Sequence, residues 1–331
     1  MTANIVGLSV YVPRGFQTSA EIASRTGIPQ EIVEGKLGLR QKRIAAPEEH
    51  VSHLATRAAE PLLRGMDRTE PGAVVYFGSA HKDYYLWSCA ARIQHALGLA
   101  NAFAFELMAT SACGPIALRV ARDLLSGDET LRFVLLVGAS KESTVIDYAN
   151  LRSRFAFNFA DGAAAALVRR DEDGHRILAS ASLTDGSFAE DVLVPAGGSV
   201  HPPSHETVER RMHFLDVRDP QDMKARLDPV SLDRFVFVIR EAIRHSGCDL
   251  SDLRFLAVLH MKRSMHERLL ESLGLTPSQS VYLDTYGHMS AVDPLVGLWE
   301  GERSGRLRPG DLAVAVSAGT GYTWAATAIR W

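Results

Sequence analysis

FADGAAAALVRR, residues 159–170, reads as a glycine turn followed by an apolar strand that closes on arginine, and TGYTWAATAIRW, residues 320–331, repeats that grammar. Short apolar runs bounded by glycine fit strands buried on both faces. One copy lies near the middle of the chain and the other at its end, which predicts two similar halves, 1–170 and 171–331. DEDGHR (171–176) is then the surface turn between them. Outward from these two strands, further strands are expected at 73–77, 102–108, 133–137, 255–259, 281–283 and 312–316. Helices are expected at 88–97, 115–125, 232–245 and 265–273, the last closed by Gly274. Alternation of strand and helix is the α/β signature.

Composition narrows the function classes. The 331 residues carry 36 basic and 39 acidic side chains, a formal net charge of −3, so no global field favours nucleic acid or an anionic membrane. The longest uncharged stretch, 312–329, is broken by Ser317, Gly319, Thr320, Gly321 and Thr323 and reads as two strands rather than a membrane span. The start, MTANIVGLSVYVPRGF, has neither a basic region nor a long apolar one, so a cytoplasmic protein is expected. Three cysteines, Cys89, Cys113 and Cys248, without CxxC spacing argue against disulfides and structural zinc.

Ligands of open α/β sheets bind beyond the carboxyl ends of strands. Three reactive side chains fall there. Cys113 follows AFAFELMA and precedes a helix, where free backbone N–H groups and the helix dipole favour thiolate. His260 ends FLAVLH, and His288 follows VYLD through the turn Thr285-Tyr286-Gly287. If the halves pack as duplicates, the three meet in one cleft, and a Cys–His–His set suits acyl transfer from a thioester. His260 and His266, six apart, lack a zinc ligand spacing, so no metal is expected. GTGYTW (319–324) lacks the third glycine of a dinucleotide fingerprint, and no GxSxG or P-loop is present.

At these residues the sequence resembles the β-ketoacyl-acyl-carrier-protein synthase III enzymes of the thiolase fold. The likeness runs in order through IVGLSVYVP (5–13), GLRQKRI (38–44), AAPEEHVSHLA (45–55), RIQHALGLANAFAFELMATSAC (92–113), FADGAAAALV (159–168), VPAGGS (194–199), YGH (286–288) and GTGYTWAATAIRW (319–331). It implies a five-layer αβαβα fold, a homodimer, and no permanently bound cofactor, with a coenzyme A or phosphopantetheine thioester as substrate. Acyl-CoA or acyl carrier protein is the implied partner. In the family the acyl group on the cysteine is joined to a carbanion made by decarboxylating malonyl carrier protein. By that resemblance Cys113 is the nucleophile and His260 the first histidine. His288 stands where the family usually has asparagine, and the backbone N–H groups of Cys113 and Thr320 form the oxyanion hole.

The chain departs from the family at several positions. Met261-Lys262-Arg263 follows His260, which places two cations near the implied entrance as carrier or phosphate contacts. Ile32 replaces an adenine-stacking tryptophan and Lys36 a nearby arginine. Ile116 replaces a phenylalanine beside the cysteine, and Tyr84-Tyr85-Leu86-Trp87 fills the loop that reaches the partner's acyl tunnel, with Leu86 and Trp87 at its end. Asp293, five residues past His288, can orient it or cap a helix. The expected activity is decarboxylative Claisen condensation with a malonyl-type thioester, in fatty-acid-like or polyketide secondary metabolism. Two alternatives stay open: a non-decarboxylating O- or N-acyltransferase of a natural-product pathway with His288 as base, and a non-catalytic partner subunit of a heteromeric synthase.

Overall fold

The computed structural model describes residues 2–70 and 72–331. Its strands are β1 (Ala3–Tyr11), β2 (Gly15–Thr18), β3 (Gln41–Ile44), β4 (Gly72–Tyr76), β5 (Phe103–Glu106), β6 (Phe133–Lys141), β7 (Asp161–Arg170), β8 (His175–Thr184), β9 (Val192–Leu193), β10 (Asp216–Val217), β11 (Leu253–Val258), β12 (Leu312–Gly319) and β13 (Thr323–Arg330). Its α-helices are α1 (Ser19–Thr26), α2 (Gln30–Ile32), α3 (Val51–Ala59), α4 (Cys89–Ala96), α5 (Cys113–Gly127), α6 (His205–Glu209), α7 (Pro220–His245), α8 (Arg263–Ser272) and α9 (Asp293–Arg303).

Nine strands form one sheet in the order β11-β12-β13-β8-β1-β7-β6-β4-β5. Outward from the centre, β1 pairs antiparallel with β7, β7 antiparallel with β6, and β6, β4 and β5 run parallel. On the other side β8, β13 and β12 pair antiparallel in succession, and β12 and β11 run parallel. Beyond β11 a parallel bridge from Leu256 to Ser280 takes the place that β5 holds on the first side. The strand order is therefore a palindrome about the β1–β8 seam, which is two residue pairs long.

Helices fill the spaces on both faces in the same order. α5 and α9 lie between the two half-sheets, where Leu118, Ala121, Leu125, Leu295 and Val296 join one apolar core with Val75, Val134, Ala257 and Ala315. α3 and α4 cover one outer face through Leu54, Ala58 and Ile93, and α7 and α8 the other through Val238, Ile239 and Leu269. Helix, sheet, helix pair, sheet, helix is the five-layer αβαβα arrangement that the resemblance implies. The small residues of CGPIALRVARDLLSG are what let the central layer close. A Cβ on Gly114 would stand 2.3 Å from the Ala291 carbonyl oxygen, so the start of α5 rests directly on the turn before α9.

Several elements differ from the sequence expectation. Residues 281–283 form no strand. After Ser280, whose hydroxyl donates to Leu256 O, the chain swings away to the N-terminal segment, where the Arg40 and Gln41 N–H groups donate to Asp284 O. α5 begins at Cys113 itself, two residues before the expected start. α7 begins at Pro220 rather than 232: Asp219 caps it by accepting from the N–H groups of Gln221 and Asp222, and the helix runs on through Pro229. α3 and β8 carried no expectation, since HRILASASLT mixes small and polar residues on a half-buried strand.

Candidate active site

The turn that carries Cys113 is a 3-10 segment, Thr110–Ala112, entered with Thr110 in the left-handed region at φ 48°. The end of β12 clamps it. A Cβ on Gly319 would lie 2.1 Å from Thr110 Oγ1, Thr110 Oγ1 donates to Thr320 O (3.2 Å), and Ser317 Oγ donates to Ser111 O (2.6 Å). Cys113 is fully buried. Burial pushes its thiol up to about 12, and a backbone hydrogen bond from Ala109 offsets this only in part. The local helix start alone therefore does not yield a standing thiolate, contrary to the sequence expectation. The thiol has to lose its proton as it reacts.

His288 meets this turn at Ser111, and His260 is tied to His288 through Asp293. His260 stands two residues past β11, and its backbone N–H donates to Asp293 Oδ2 (2.7 Å). His288 lies beside residues 158–160: its N–H donates to Asn158 O and its carbonyl accepts from Ala160 N–H, both at 2.8 Å. Asp293, the first residue of α9, joins them. Its Oδ2 also accepts from His288 Nδ1–H (2.6 Å) while Oδ1 accepts from Met289 N–H (2.7 Å). Asp293 thus orients His288 and ties down the preceding turn at once.

The two rings are held in opposite states. Asn158 Nδ2 donates to His260 Nδ1 (2.9 Å), so the proton sits on Nε2, which donates to Gly38 O (3.2 Å). Burial pushes His260 down to about 4, with Asp293 opposing, and the ring is a neutral donor near pH 7. His288 has its proton on Nδ1, facing Asp293, and its Nε2 meets Ser111 Oγ at 2.9 Å. Burial disfavours its charge, but the charge and hydrogen bond of Asp293, with Glu142 adding to them, raise its pKa overall. Neutral His288 is a base toward Ser111. Charged, it becomes a second donor.

Two family profiles match the chain and together span just over half of it: 3-Oxoacyl-[acyl-carrier-protein (ACP)] synthase III over residues 105–186, and its C-terminal counterpart over 243–331. The chain belongs to the synthase III family. It is 29% identical to a β-ketoacyl-[acyl-carrier-protein] synthase III of Caldanaerobacter subterraneus, over the whole of this chain and 98% of that one. The crystal structure of a synthase III from Thermus thermophilus superposes with a TM-score of 0.85 at 27% identity, covering 99% of both chains. OleA of Xanthomonas campestris shares the fold, with a TM-score of 0.83 at 18% identity over 100% of this chain and 99% of that one. The fold is thus thiolase-like, and the chain is a synthase III-like enzyme of the acyl-transferring, condensing class.

The remaining candidate positions of this synthase III-like chain spread outward from the cleft. The Cys113 N–H already donates to Thr110 O within its turn, while Thr320 sits beside that turn through its carbonyl. Ile116 is half-buried one turn into α5. Lys36 and Lys262 are exposed, whereas Arg263 is engaged: it pairs with Asp284 (3.1 Å) and lies over the Tyr282 ring at 4.2 Å. Leu86 is 93% exposed, and Trp87 is half-buried with its ring edge against Tyr84. Cys89 is buried in α4, and Cys248 accepts from Arg330. Sequence reasoning missed Ser111 and Asn158. Ser111 stands two residues from the cysteine, and that spacing was its only available signal.

Proposed function

We propose that Cys113 takes an acyl group from a coenzyme A or acyl-carrier-protein thioester and that the acyl group is joined to a malonyl-type thioester by decarboxylative Claisen condensation, in fatty-acid-like or polyketide secondary metabolism. The observation that carries this reading is the meeting of His260 and His288 at the Cys113 turn through the shared carboxylate of Asp293. As the sulfur attacks the thioester carbonyl, its proton leaves and the coenzyme or carrier thiol departs protonated. Loss of carbon dioxide from the malonyl group then leaves an enolate, whose oxygen needs donors. His260 Nε2–H, exchanging Gly38 O for the enolate, is one, and His288, charged and held by Asp293, is the other. The enolate carbon attacks the acyl-Cys113 carbonyl, the C–S bond breaks, and the Cys113 sulfur leaves as thiolate and takes up the proton of charged His288.

A second reading has its own support. With Asp293 on Nδ1 and the Ser111 hydroxyl on Nε2, neutral His288 has the bonding of a general base, which suits transfer to a hydroxyl or amine. No observation favours a non-catalytic partner subunit. We read 1–170 and 171–331 as duplicated halves, a reading supported by the palindromic strand order. A homodimer is part of the same proposal: β5 ends the sheet beside exposed Phe103, Met108, Tyr84, Tyr85 and Leu86, an apolar edge suited to a second copy. Lys36 and Lys262 are the proposed phosphate or carrier contacts, Ile116, Leu86 and Trp87 the acyl-chain contacts, and the N–H groups of Thr320 and of Cys113, the latter released from Thr110 O, the oxyanion donors. No described helix is long and apolar enough to cross a membrane, and a cytoplasmic setting completes the reading.

Incubation with a panel of acyl thioesters followed by intact-mass measurement is expected to show an adduct that is lost in Cys113→Ala. No adduct with any donor would end the proposal. Malonyl carrier protein added to loaded enzyme is expected to release carbon dioxide. Acyl transfer to alcohols or amines without that release would select the second reading.

A further inference from the structure

Asn158 connects both histidines and is itself unusually constrained. It is 8% exposed. Its carbonyl accepts from His288 N–H, and its Nδ2 donates to His260 Nδ1. The carbonyls on either side, Phe157 O and Phe159 O, both accept from Lys42 Nζ, at 2.9 and 2.7 Å. Lys42 is fully buried, and burial lowers its ammonium to about 7 although Asp161 opposes the shift. A buried amine thus fixes the backbone around one side chain. Yet that side chain is half used: Asn158 Oδ1 is buried and has no partner among the described residues. An unpaired buried acceptor is destabilising until a donor reaches it.

The substrates of the proposed reaction narrow what Oδ1 can receive. A thioester carbonyl and a malonyl carboxylate offer only acceptors and would repel it. The pantetheine arm carries an amide N–H two carbons from the thioester sulfur, and this arm is common to coenzyme A and the acyl carrier protein. We propose that Asn158 is a substrate-contacting residue whose Oδ1 accepts that amide N–H while its Nδ2 keeps His260 in the Nε2-protonated form. The contact aligns the thioester and the donor histidine through one side chain, and it rests on the reading of Cys113 as the acylated residue.

The test compares Cys113 acylation by two donors of the same acyl group, the N-acetylcysteamine thioester and the S-butyl thioester, which lacks the amide. The ratio of their kcat/KM values within one protein cancels any effect that reaches the reaction through His260. The wild type is expected to favour the amide-bearing donor tenfold or more. Asn158→Asp, which keeps an acceptor, is expected to retain the preference, and Asn158→Ala and Asn158→Leu to reduce it to within twofold. A wild-type ratio near one, or a preference that survives in the Ala or Leu variant, overturns the proposal. Acyl-CoA and acyl carrier protein are expected to lose rate in equal proportion in Asn158→Ala, and a loss confined to one of them also overturns it. No adduct from any donor would instead be a failure of the Cys113 reading, whereas equal adducts from both thioesters would fail Asn158 alone.

Discussion

His260 and His288 are equally buried, share the carboxylate of Asp293 and belong to the same cleft, yet their rings are set for opposite work. His260 receives a hydrogen bond from an amide on Nδ1 and donates from Nε2–H, to Gly38 O. His288 gives its Nδ1 proton to a carboxylate and presents a lone pair, or a second proton once charged. Burial governs the first ring and pushes it down to about 4, whereas the second is buried as deeply but is raised by Asp293. The residue type is therefore a poor guide to role. The group on Nδ1 decides whether a histidine donates, accepts or switches between the two.

The largest break in this comparison comes from removing the fixed donor. His260→Ala is expected to lower carbon dioxide release from malonyl carrier protein about 10²–10³-fold, the loss of one preorganised donor, about 2.7–4 kcal/mol, while acyl loading measured by mass persists. Asp293→Asn is expected to cost about 10–10²-fold in the same assay and to move its pH profile. Asp293 raises the His288 pKa, so activity that needs charged His288 is lost as pH rises through that pKa, and in the variant the loss comes at lower pH. An unmoved alkaline limb would show that charged His288 is not used.

Stability sharpens the contrast from another side. The folded-state pKa values of His260 and His266 are depressed to about 4 by burial from an ordinary value of 6.5. The unfolded chain therefore binds more protons between those values. Stability is complete above about pH 6.5 and is lost as pH falls through about 4. Thermal melts across that range are expected to show a falling Tm, with a shallower fall in His260→Gln. His288, raised rather than lowered, acts with the opposite sign. The smallest effect is expected for Ser111→Ala: under tenfold in carbon dioxide release, but larger in transfer to an alcohol if His288 serves as the base. His288→Asn is its companion, abolishing that transfer while retaining decarboxylation.

The sequence carried most of the architecture because α/β order is written in short apolar runs, and the echo of 159–170 in 320–331 marked β7 and β13, which hold matching places in the sheet. Cys113, His260 and His288 were legible from their places at strand ends. Their electrostatics were not. The thiol of Cys113 responds to burial from distant segments, and the tautomer of His260 depends on Asn158, about a hundred residues away in the chain. The expected strand at 281–283 failed because the chain makes a single bridge to the sheet, Leu256 with Ser280, before Asp284 O is taken by the N–H groups of Arg40 and Gln41. Apolar composition does not distinguish the two. α7 runs longer than expected because Asp219 caps it at Pro220, twelve residues before the expected start, and it continues through Pro229.

β1 is hydrogen-bonded to β7 on one side and to β8 on the other. The first strand of the chain is therefore the keystone of the sheet, and both of its neighbours lie some 160 residues downstream. In synthesis this strand precedes both of its sheet partners. Until residues 161–176 are made its backbone N–H and C=O groups lack their sheet partners, and both of its pairings are of high contact order. A segment that contributes none of the proposed catalytic side chains thus joins the two half-sheets. Trimming a few residues from its beginning is expected to loosen both half-sheets at the seam they share.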